Sequence, residues 1–284
     1  MPKREPLSVA VITLNEERNL GRCLGSVHWA EEIVVVDAGS TDRTLEVAAR
    51  FGAKIVSHPW PGYVAQKNLA VESTSHPWVL SLDADEWLSE EGAGEVRQVL
   101  EQPKADAYAF NRLSAFAGSF LYRTWSPDWQ VRLFRKDRGR FAGGQVHERA
   151  KMDRSCRIQR LEKRLMHLTY RSLHEYVTRM NRYSDLGAAT LRDRGKKPSL
   201  SKLLFSPPVT FLKLYVLKGG FLDGMRGLVV SAGSAYSTFL KYAKLWELEH
   251  PPDPTFTAMV PPTPEDHVHG AEMGGEEPSR TQSG

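Results

Sequence analysis

The fold of this chain is decided by the stretch Trp78-Val79-Leu80-Ser81-Leu82-Asp83-Ala84-Asp85-Glu86, in which a short apolar run ends in carboxylates. Such a run is typical of a buried strand in a parallel sheet. Ligands of these sheets sit outside the carboxyl ends of the strands, so Asp83 and Asp85 are expected to project into a cleft. Two carboxylates this close repel each other unless a cation lies between them. Their oxygens suit Mg²⁺ or Mn²⁺, which usually shares its ligands with substrate phosphates.

A simpler interpretation uses the same stretch without a ligand. Asp85 or Ser89 would cap a helix that runs to about Glu101, because Asp and Ser side chains accept hydrogen bonds from the free backbone N–H groups at a helix start. The residues that other parts of the chain place near the end of this strand decide between a metal site and a helix cap.

The first third of the chain alternates strand patterns with helical patterns. Strands are predicted for residues 8–13, 32–37, 54–57 and 78–83, and the helices between them end near Val27, Phe51 and Glu72. This alternation with short loops predicts an α/β fold in which helices cover both faces of a parallel sheet.

Polar clusters follow three of these strands, at residues 13–17, 37–42 and 83–86. Parallel neighbours would bring all three clusters to one rim, although Asp42 also suits the cap of its own helix. The chain has neither a G-x-x-x-x-G-K-[ST] loop nor a G-x-G-x-x-G loop after the first strand, which argues against a P-loop site and a dinucleotide site. A metal on the aspartates would neutralise the phosphates of a bound nucleotide instead.

Four segments resemble the successive motifs of family 2 glycosyltransferases with the GT-A fold. They are VITLNEE at 11–17, VVVDAGSTD at 34–42, QKNLA at 66–70 and DADE at 83–86, in the family's order and spacing. The resemblance covers about residues 7–170. It implies a Rossmann-like GT-A core with a mostly parallel sheet, and the transfer of a sugar from a nucleoside diphosphate.

The resemblance also implies roles for the matching residues. The nucleotide sugar would be lined by Thr13, Asn15, Glu17, Asp37 and Lys67. Asp37 would contact the uracil of a UDP-sugar. Asp83 would face the ribose and the metal, and Asp85 would hold the metal, Mg²⁺ or Mn²⁺, that bridges the two phosphates. Ala38 and Lys67 depart from the commoner Asp and Arg, and neither change disables the chemistry.

The middle of the chain is basic. Residues 112–171 carry 15 Lys and Arg against 5 Asp and Glu, whereas residues 1–111 carry 10 against 17. Such a segment is expected to meet phosphates, nucleic acid or a membrane surface, or to be only a solvated face. Arg, Trp and Tyr interleave here beside the cleft, which favours an anionic acceptor.

Inverting glycosyl transfer needs a general base that takes the proton of the acceptor hydroxyl. In the family, the segment that corresponds to residues 143–148 brings this carboxylate, so Glu148 is the predicted base. An ion pair with a nearby arginine is the alternative for Glu148, and Asp128 is the second candidate base.

Three more residues of the middle are candidates for the site. His147 would serve as a metal ligand or as a donor to the diphosphate, although a lone His is more often structural. Trp129 and Arg132 are expected to position the sugar or the pyrophosphate, and Trp129 would suit the core equally well.

The last third is predicted to hold two helices, at residues 173–194 and 225–246. Residues 227–240 carry no charge, and both helices are flanked by Lys or Arg and contain aromatic residues. This pattern favours helices lying in a membrane interface, with a helical cap or a dimer contact as the alternative. No apolar run is expected to reach the roughly 18 residues of a spanning helix.

Compartment signals are weak. Cys23 and Cys156 form no disulfide framework and no CxxC metal site, and the opening residues MPKREPL show no signal peptide. These features fit a cytoplasmic protein that lies peripherally on the inner face of the cytoplasmic membrane.

The segment FLDGMRG at 221–227 resembles one branch of the family, the lipopolysaccharide core β-glucosyltransferases. This branch implies transfer of glucose from UDP-glucose to an inner-core heptose of a lipid-linked acceptor. The expected organisation is a catalytic domain at 1–170, a helical extension at 171–249 that contacts membrane and acceptor, and a disordered tail at 250–284.

Three other functions are alternatives. The first is a transferase for capsule, exopolysaccharide or another surface glycan. The second is a sugar nucleotidyltransferase, which would need a Gly-rich basic loop where residues 15–17 are acidic. A nucleic-acid binder would use the basic middle but would not explain Asp37, Asp83 and Asp85 on one rim, so no nucleic-acid partner is expected.

Overall fold

The computed structural model describes residues 4–143 and 148–251. Eleven strands are present in that part of the chain: β1 Leu7–Thr13, β2 Glu32–Asp37, β3 Lys54–Ser57, β4 Trp78–Asp83, β5 Glu86–Leu88, β6 Ala107–Phe116, β7 Ser119–Phe120, β8 Trp129–Arg135, β9 Gly139–Gly143, β10 Glu148–Met152 and β11 Ile158–Tyr170. The α-helices are α1 Leu20–Gly25, α2 Thr44–Arg50, α3 Tyr63–Glu72, α4 Glu90–Glu101, α5 Leu173–Asp193, α6 Leu200–Leu212 and α7 Gly224–Glu249.

One central sheet organises the molecule. Its strand order is β3-β2-β1-β4-β8-β6-β11-β5, with β7 paired to β6, while β9 and β10 form a separate hairpin. The strands β3, β2, β1 and β4 are parallel, and β11 is parallel to β6. The predicted α/β class with a mostly parallel sheet is therefore confirmed. Thr13 pairs with Asp37, and Ile12 pairs with Asp83, so β1, β2 and β4 end at one rim as predicted.

Apolar side chains fill both faces of the sheet. On one face, Leu24 of α1 and Val96 of α4 pack against strand residues such as Val9. On the other face, Val71 of α3 packs with Val34, and the β9–β10 hairpin covers the same side. Helices therefore cover both faces, as the alternating sequence pattern predicts.

The cap interpretation of the aspartate stretch holds for Ser89 alone. The Ser89 hydroxyl accepts a hydrogen bond from the Gly92 N–H at 3.1 Å, and α4 begins at Glu90. Asp85 lies outside this helix, between β4 and β5. Its carboxylate is therefore available for another role.

The first predicted helix is shorter than expected. Residues 17–19 form a turn, and α1 begins only at Leu20. Asn15 has φ +54°, a left-handed conformation that a helix cannot contain. The acidic cluster after β1 is therefore loop rather than helix.

The C-terminal helices follow the sheet directly. β11 ends at Tyr170, and α5 begins at Leu173 with the Ser172 side chain as its cap. Tyr176 of α5 and Val230 of α7 pack with Phe116 at the end of β6. The predicted tail at 250–284 lies outside the described residues apart from its first two positions.

One sequence expectation about these helices is wrong. α6 continues through a π-helical turn at Lys213–Leu217. Among the described residues, Leu200–Leu217 is one helical segment that is long and apolar enough to cross a membrane, by length and composition only. Lys202 and Lys213 interrupt the apolar run in the sequence, which hides the length of the continuous helix. None of its residues is buried.

Asp223 fastens these helices to the loop after β7. Its carboxylate accepts hydrogen bonds from the backbone N–H groups of Tyr122 at 2.9 Å, Arg123 at 3.1 Å and Thr124 at 2.8 Å. The Thr124 hydroxyl donates a fourth hydrogen bond at 2.9 Å. Four donors on one carboxylate give this contact, here called the Asp223 clamp, a fixed geometry.

Candidate active site

The second motif closes a tight turn at the rim. Asp37 accepts hydrogen bonds from the backbone N–H groups of Gly39 at 2.9 Å and Ser40 at 2.8 Å, and from the Ser40 hydroxyl at 2.5 Å. Gly39 has φ +99°, which favours glycine at this position. Asp37 is buried, so it shapes the rim as well as lining it.

The first motif is bound to this turn. The Asn15 side-chain oxygen accepts a hydrogen bond from the Thr41 N–H at 2.8 Å, while the Asn15 N–H donates to Ser40 at 2.8 Å. Glu17 accepts a hydrogen bond from the Arg43 N–H at 3.2 Å. The predicted nucleotide residues of two motifs therefore form one rigid edge.

Thr13 ends β1 between the ends of β2 and β4. Its side chain is buried, and its hydroxyl has no hydrogen-bond partner among the described residues. A buried hydroxyl without a partner costs free energy, which a polar ligand at the rim would recover.

Asp83 lies between two cations. Its Oδ1 is 2.8 Å from Lys67 Nζ, and its Oδ2 is 2.7 Å from Arg132 Nη2. Burial alone would raise the pKa of Asp83, but the positive charges of Arg132 and Lys67 outweigh it and hold the pKa well below its ordinary value. Asp83 is therefore an ionised carboxylate with a cation on each oxygen.

The ion pairs continue on both sides of Asp83. Arg132 also contacts Glu86 at 2.6 Å, Glu86 contacts Arg112 at 3.1 Å, and Arg112 contacts Asp128 at 2.8 Å. On the other side, Lys67 contacts Glu148 at 2.9 Å. The result is one ion chain of alternating charge: Glu148, Lys67, Asp83, Arg132, Glu86, Arg112 and Asp128.

The inner members of the ion chain are the most buried. The side chains of Lys67, Arg132 and Glu86 are 1%, 5% and 0% exposed. Burial would lower the pKa of Arg132, but Asp83 and Glu86 raise it above its ordinary value, so Arg132 keeps its charge. Both sequence-predicted candidates for the base, Glu148 and Asp128, are the ends of this chain.

Asp85 is placed differently from Asp83. Its Oδ2 lies 3.4 Å from His167 Nε2, and the Asp85 side chain is 16% exposed. The other ring nitrogen of His167 lies 3.0 Å from the Thr169 hydroxyl, which orients the ring. No group of three or more His, Cys, Asp or Glu side chains within residues 4–143 and 148–251 is arranged to hold a metal ion by itself.

The surroundings of Asp85 are rich in negative charge. Burial raises the pKa of Glu16, and although its hydrogen bond from Asn19 lowers that pKa, the nearby charge of Asp85 raises it further. Burial, with the charges of Glu86, Asp85 and Asp83, raises the pKa of the Cys23 thiol well above its ordinary value. A divalent cation on Asp85 and His167 would fit this field, and substrate phosphates and water would complete its ligands.

One predicted residue stands apart from this centre, and another cannot be placed. His147 lies outside the described residues. Trp129 is at the start of β8, and its ring faces Arg160 at 4.6 Å rather than the Asp83 carboxylate. Arg132, by contrast, lies in the centre of the ion chain.

Sequence reasoning missed His167, Arg112 and the role of Glu86. His167 lies in the middle of β11, and Arg112 lies in the middle of β6. Neither has a motif around it, because their contacts depend on which strands become neighbours. A polar residue inside an otherwise strand-like run, such as His167 in LMHLTY, is the one local signal available.

Comparison with known proteins gives the same assignment as the motifs. The model of the family described as Glycosyl transferase family 2 matches residues 8–164, more than half of the chain. The chain belongs to glycosyl transferase family 2. It is thus a glycosyltransferase with the GT-A fold, and the matched region contains the whole ion chain.

Two relatives match along most of their length. The lipopolysaccharide core biosynthesis glycosyltransferase LpsC of Rhizobium meliloti is 32% identical over 254 residues, which are 85% of this chain and 92% of that protein. An uncharacterized glycosyltransferase of Rickettsia typhi is 33% identical over 254 residues, 85% of this chain and 87% of that protein. The similarity therefore continues through the C-terminal helices.

Solved structures show weaker likeness. A crystal structure of Staphylococcus aureus TarS residues 1–349 has a TM-score of 0.45 and 14% identity, over 86% of this chain and 92% of that chain. Glucosyl-3-phosphoglycerate synthase from Mycobacterium tuberculosis, in complex with Mn²⁺, UDP and phosphoglyceric acid, has a TM-score of 0.33 and 24% identity, over 40% of this chain and 44% of that chain.

Proposed function

We propose that this glycosyltransferase is metal-dependent and inverting, and that it moves a hexose from a UDP-sugar, glucose in the first instance, to an anionic lipid-linked saccharide. The observation that carries the proposal is the arrangement at the rim. Asp85 faces His167, while Asp83 is neutralised by Lys67 and Arg132. The Asp85 carboxylate is thus left to bind a metal, and Lys67 and Arg132, the cations that contact Asp83, would bind a diphosphate.

The donor would lie along the edge formed by the first two motifs. The unpartnered hydroxyl of Thr13 and the rigid turn at Asp37 support a polar ligand there. Asn15 and Glu17 border the same edge. These side chains would bind and orient the nucleoside, and their fixed positions lower the cost of ordering the ligand.

Asp85 and His167 would hold Mg²⁺ or Mn²⁺, and the bound cation would supply positive charge to the diphosphate. Both oxygens of Asp83 already have cations, so in this arrangement Asp83 acts by holding Lys67 and Arg132 in place. Those two cations would face the phosphates, and Arg132 retains its charge at any physiological pH.

The transfer step would use Glu148, the second carboxylate that the Lys67 ammonium contacts. The acceptor oxygen attacks the anomeric carbon, the bond from that carbon to the diphosphate oxygen breaks, and UDP leaves with the electron pair. Glu148 would take the acceptor proton, because its carboxylate is 17% exposed and, among the described residues, its one ion pair is with Lys67. Asp128 is less suited, because Arg112 and Gln130 occupy its oxygens.

For the acceptor, we propose an inner-core heptose of a growing lipopolysaccharide. Similarity to a lipopolysaccharide core relative over 85% of the chain supports this class. Transfer to another surface polysaccharide is the second candidate, because related sequences are named only as glycosyltransferases.

The test is calorimetric titration of UDP-glucose with and without Mn²⁺, on wild type, Asp85→Ala and the control Asp137→Ala. Asp137 is an exposed carboxylate paired with Arg135, away from the rim. Metal-dependent binding that is lost only in Asp85→Ala is the expected result. Equal binding with and without Mn²⁺ contradicts the metal proposal, and no binding of any UDP-sugar contradicts the donor proposal.

We also propose that the enzyme works on the cytoplasmic face of the membrane, with α6 and α7 as its contact. Leu200, Phe205 and Leu217 are 70%, 67% and 82% exposed, which is unusual for a surface in water. An apolar groove of about 560 Å³ lies between the two helices at Phe211 and Phe239. Residues 195–246 carry eight Lys and Arg and one acidic residue, Asp223, so the surface suits anionic lipids.

Flotation with phosphatidylglycerol vesicles tests this location. The double variant Phe205→Ser with Leu217→Ser should reduce the bound fraction several-fold. The control is Ile158→Ser, which removes a 50% exposed apolar residue on β11 and should leave the bound fraction unchanged. Unchanged flotation of the double variant contradicts the proposal. Wild type that stays unbound and sediments as a dimer points to a contact between two copies instead.

A further inference from the structure

Three side chains form a row across the sheet next to the candidate site. Trp129 of β8 and Arg164 of β11 both pair with Asn111 of β6. Directly paired residues project from the same face of a sheet, so the three side chains share one face. Arg160 belongs to the adjacent row on that face, because it pairs with Ala109.

Two arginines of this face are stacked on aromatic rings. The guanidinium carbon of Arg160 lies 4.6 Å from the centroid of the Trp129 ring, and that of Arg164 lies 5.3 Å from the Tyr122 ring. Stacking occupies the flat face of a guanidinium and leaves its N–H edge free to bind two oxygens of a phosphate or carboxylate. These four residues are called here the arginine–aromatic surface.

Neither guanidinium pairs with a carboxylate of the described residues. Across the described ranges 4–143 and 148–251, no ion pair or side-chain hydrogen bond involves Arg160 or Arg164, whereas Arg112 and Arg132 each contact two carboxylates. Tyr122 is 54% exposed, and Arg160 is exposed as well. Two oriented cations with no counter-charge in the part of the chain that the structure describes are suited to binding anionic groups.

The surface lies on the same side as the candidate base. Val131, which shares a face with Trp129, packs in the apolar cluster that Ala150 of β10 also contacts. Glu148 and Ala150 are two residues apart on β10, so their side chains project from the same side of it. β8 runs antiparallel to β4, so its first residue, Trp129, lies at the rim where β4 ends.

The other end of the surface reaches the C-terminal helices. The Tyr122 N–H donates to the carboxylate of Asp223, directly before α7. The arginine–aromatic surface therefore extends from the rim at Trp129 to the Asp223 clamp, between the candidate base and the exposed apolar helices.

From these contacts we propose that the arginine–aromatic surface binds the acceptor, and that the acceptor is a saccharide carrying phosphate or carboxylate groups. Arg160 and Arg164 would bind the anionic groups, and the exposed part of Tyr122 would contact sugar rings. This role replaces the predicted donor role of Trp129. The inference rests on the proposed glycosyl transfer and specifies its second substrate.

The experiment measures two ligands on the same full-length protein. One is UDP-glucose with Mn²⁺, and the other is an O-deacylated heptose-containing core oligosaccharide, used intact and after removal of its phosphates. The variants are Arg160→Gln with Arg164→Gln, and Arg160→Lys with Arg164→Lys. The control is Arg97→Gln. Arg97 lies on α4, far from the rim, and its guanidinium carbon is 5.2 Å from the centroid of the Trp29 ring.

We expect the double Gln variant to bind the intact oligosaccharide at least tenfold more weakly and with a flatter salt dependence, while its affinity for UDP-glucose stays within twofold. The oligosaccharide affinity of the double Lys variant should lie between those of wild type and the double Gln variant, because Lys keeps the charge and loses the planar guanidinium. Wild type should bind the dephosphorylated oligosaccharide as weakly as the double Gln variant binds the intact one.

Three results overturn the inference. They are undiminished oligosaccharide binding by the double Gln variant, equal binding of intact and dephosphorylated oligosaccharide, and tighter binding of a short oligodeoxythymidylate at equal salt. Failure of the donor proposal is separate, because it appears as absent UDP-glucose binding in wild type.

Discussion

Lys67 holds Glu148 with an ammonium-to-carboxylate distance of 2.9 Å, and the same ammonium contacts Asp83 at 2.8 Å. A single buried cation thus connects the candidate base with the carboxylate that ends β4. Asp128, at the opposite end of the ion chain, is held by Arg112 and by Gln130, whose amide N–H₂ donates at 2.6 Å. The two ends of the chain differ in how freely their oxygens can take a proton.

This difference gives a prediction about the base. Glu148→Gln should lower kcat by about 10²–10⁴-fold, the range that a general base contributes, and leave UDP-glucose affinity within a few-fold. Asp128→Asn should lower kcat far less, because the Asp128 carboxylate would affect the reaction by holding Arg112 and would not take the proton itself. Steady-state kinetics with calorimetry for the donor measures both, and a larger loss of kcat in Asp128→Asn makes Asp128 the base.

The second prediction concerns acid stability through Glu32. Burial would raise the pKa of Glu32, but hydrogen bonds from Ser8 at 2.5 Å and Ser75 at 2.6 and 2.8 Å outweigh it and lower that pKa. A lowered pKa in the folded state stabilises the fold above the unfolded value of about 4.3, and this stabilisation is lost as the pH falls below it.

Glu32→Gln should therefore lower the free energy of unfolding by about 2 kcal/mol at pH 7, and the difference from wild type should shrink below about pH 4. Urea titrations across this pH range measure it, with the exposed Glu101→Gln as the control. A difference that stays constant down to pH 3 rules out the ionised form of Glu32 as its source.

The third prediction concerns the Asp223 clamp. Asp223→Asn places an N–H₂ group against backbone N–H donors, so the free energy of unfolding should fall by about 2–3 kcal/mol. Amide hydrogen exchange at residues 122–124 should accelerate at the same time. Asp193→Asn, at an exposed position in the last turn of α5, is the matched control, and unchanged exchange in Asp223→Asn contradicts the prediction.

The fourth prediction concerns the close approach at Gly227. A Cβ there would lie 1.8 Å from the backbone oxygen of Gly220, which neither segment can avoid without moving. Gly227→Ala should cost about 3 kcal/mol or more of folding stability and expose α7 to limited proteolysis. Gly94→Ala is the control, because its Cβ would meet nothing closer than Arg97 Nη2 at 4.0 Å, and it should stabilise α4 by about 0.5–1 kcal/mol.

Local pattern predicts the core of this fold well where strands are continuous apolar runs. The bounds of β2 and β3 agree with the sequence pattern to the residue, and α3 ends at Glu72 as predicted. α1 does not, because the left-handed Asn15 and its bonds to the second motif depend on a neighbouring strand. Local helix signals cannot reveal such a contact.

The candidate site could be predicted only where its residues do not depend on an unknown order of strands. Thr13, Asp37 and Asp83 end strands that the sequence itself marks, and Asp85 follows the last of these, so their meeting at one rim follows from the parallel order. Arg112 and His167 enter the site because β6 lies between β8 and β11, an order that no motif specifies. The segment FLDGMRG is identified from the sequence only by its resemblance to one branch of the family, and the Asp223 clamp and the Gly227 contact give it a physical role in the fold.

The ion chain also limits which substitutions the site can accept during evolution. Removing one inner member leaves a buried charge without its partner, at a cost of about 3–5 kcal/mol, comparable to much of the stability of a domain. Replacing two adjacent members together avoids that cost. Substitutions at Lys67, Asp83, Arg132 and Glu86 should therefore be inherited in compensating pairs, so the four positions evolve as one unit although they lie on four separate elements of the fold.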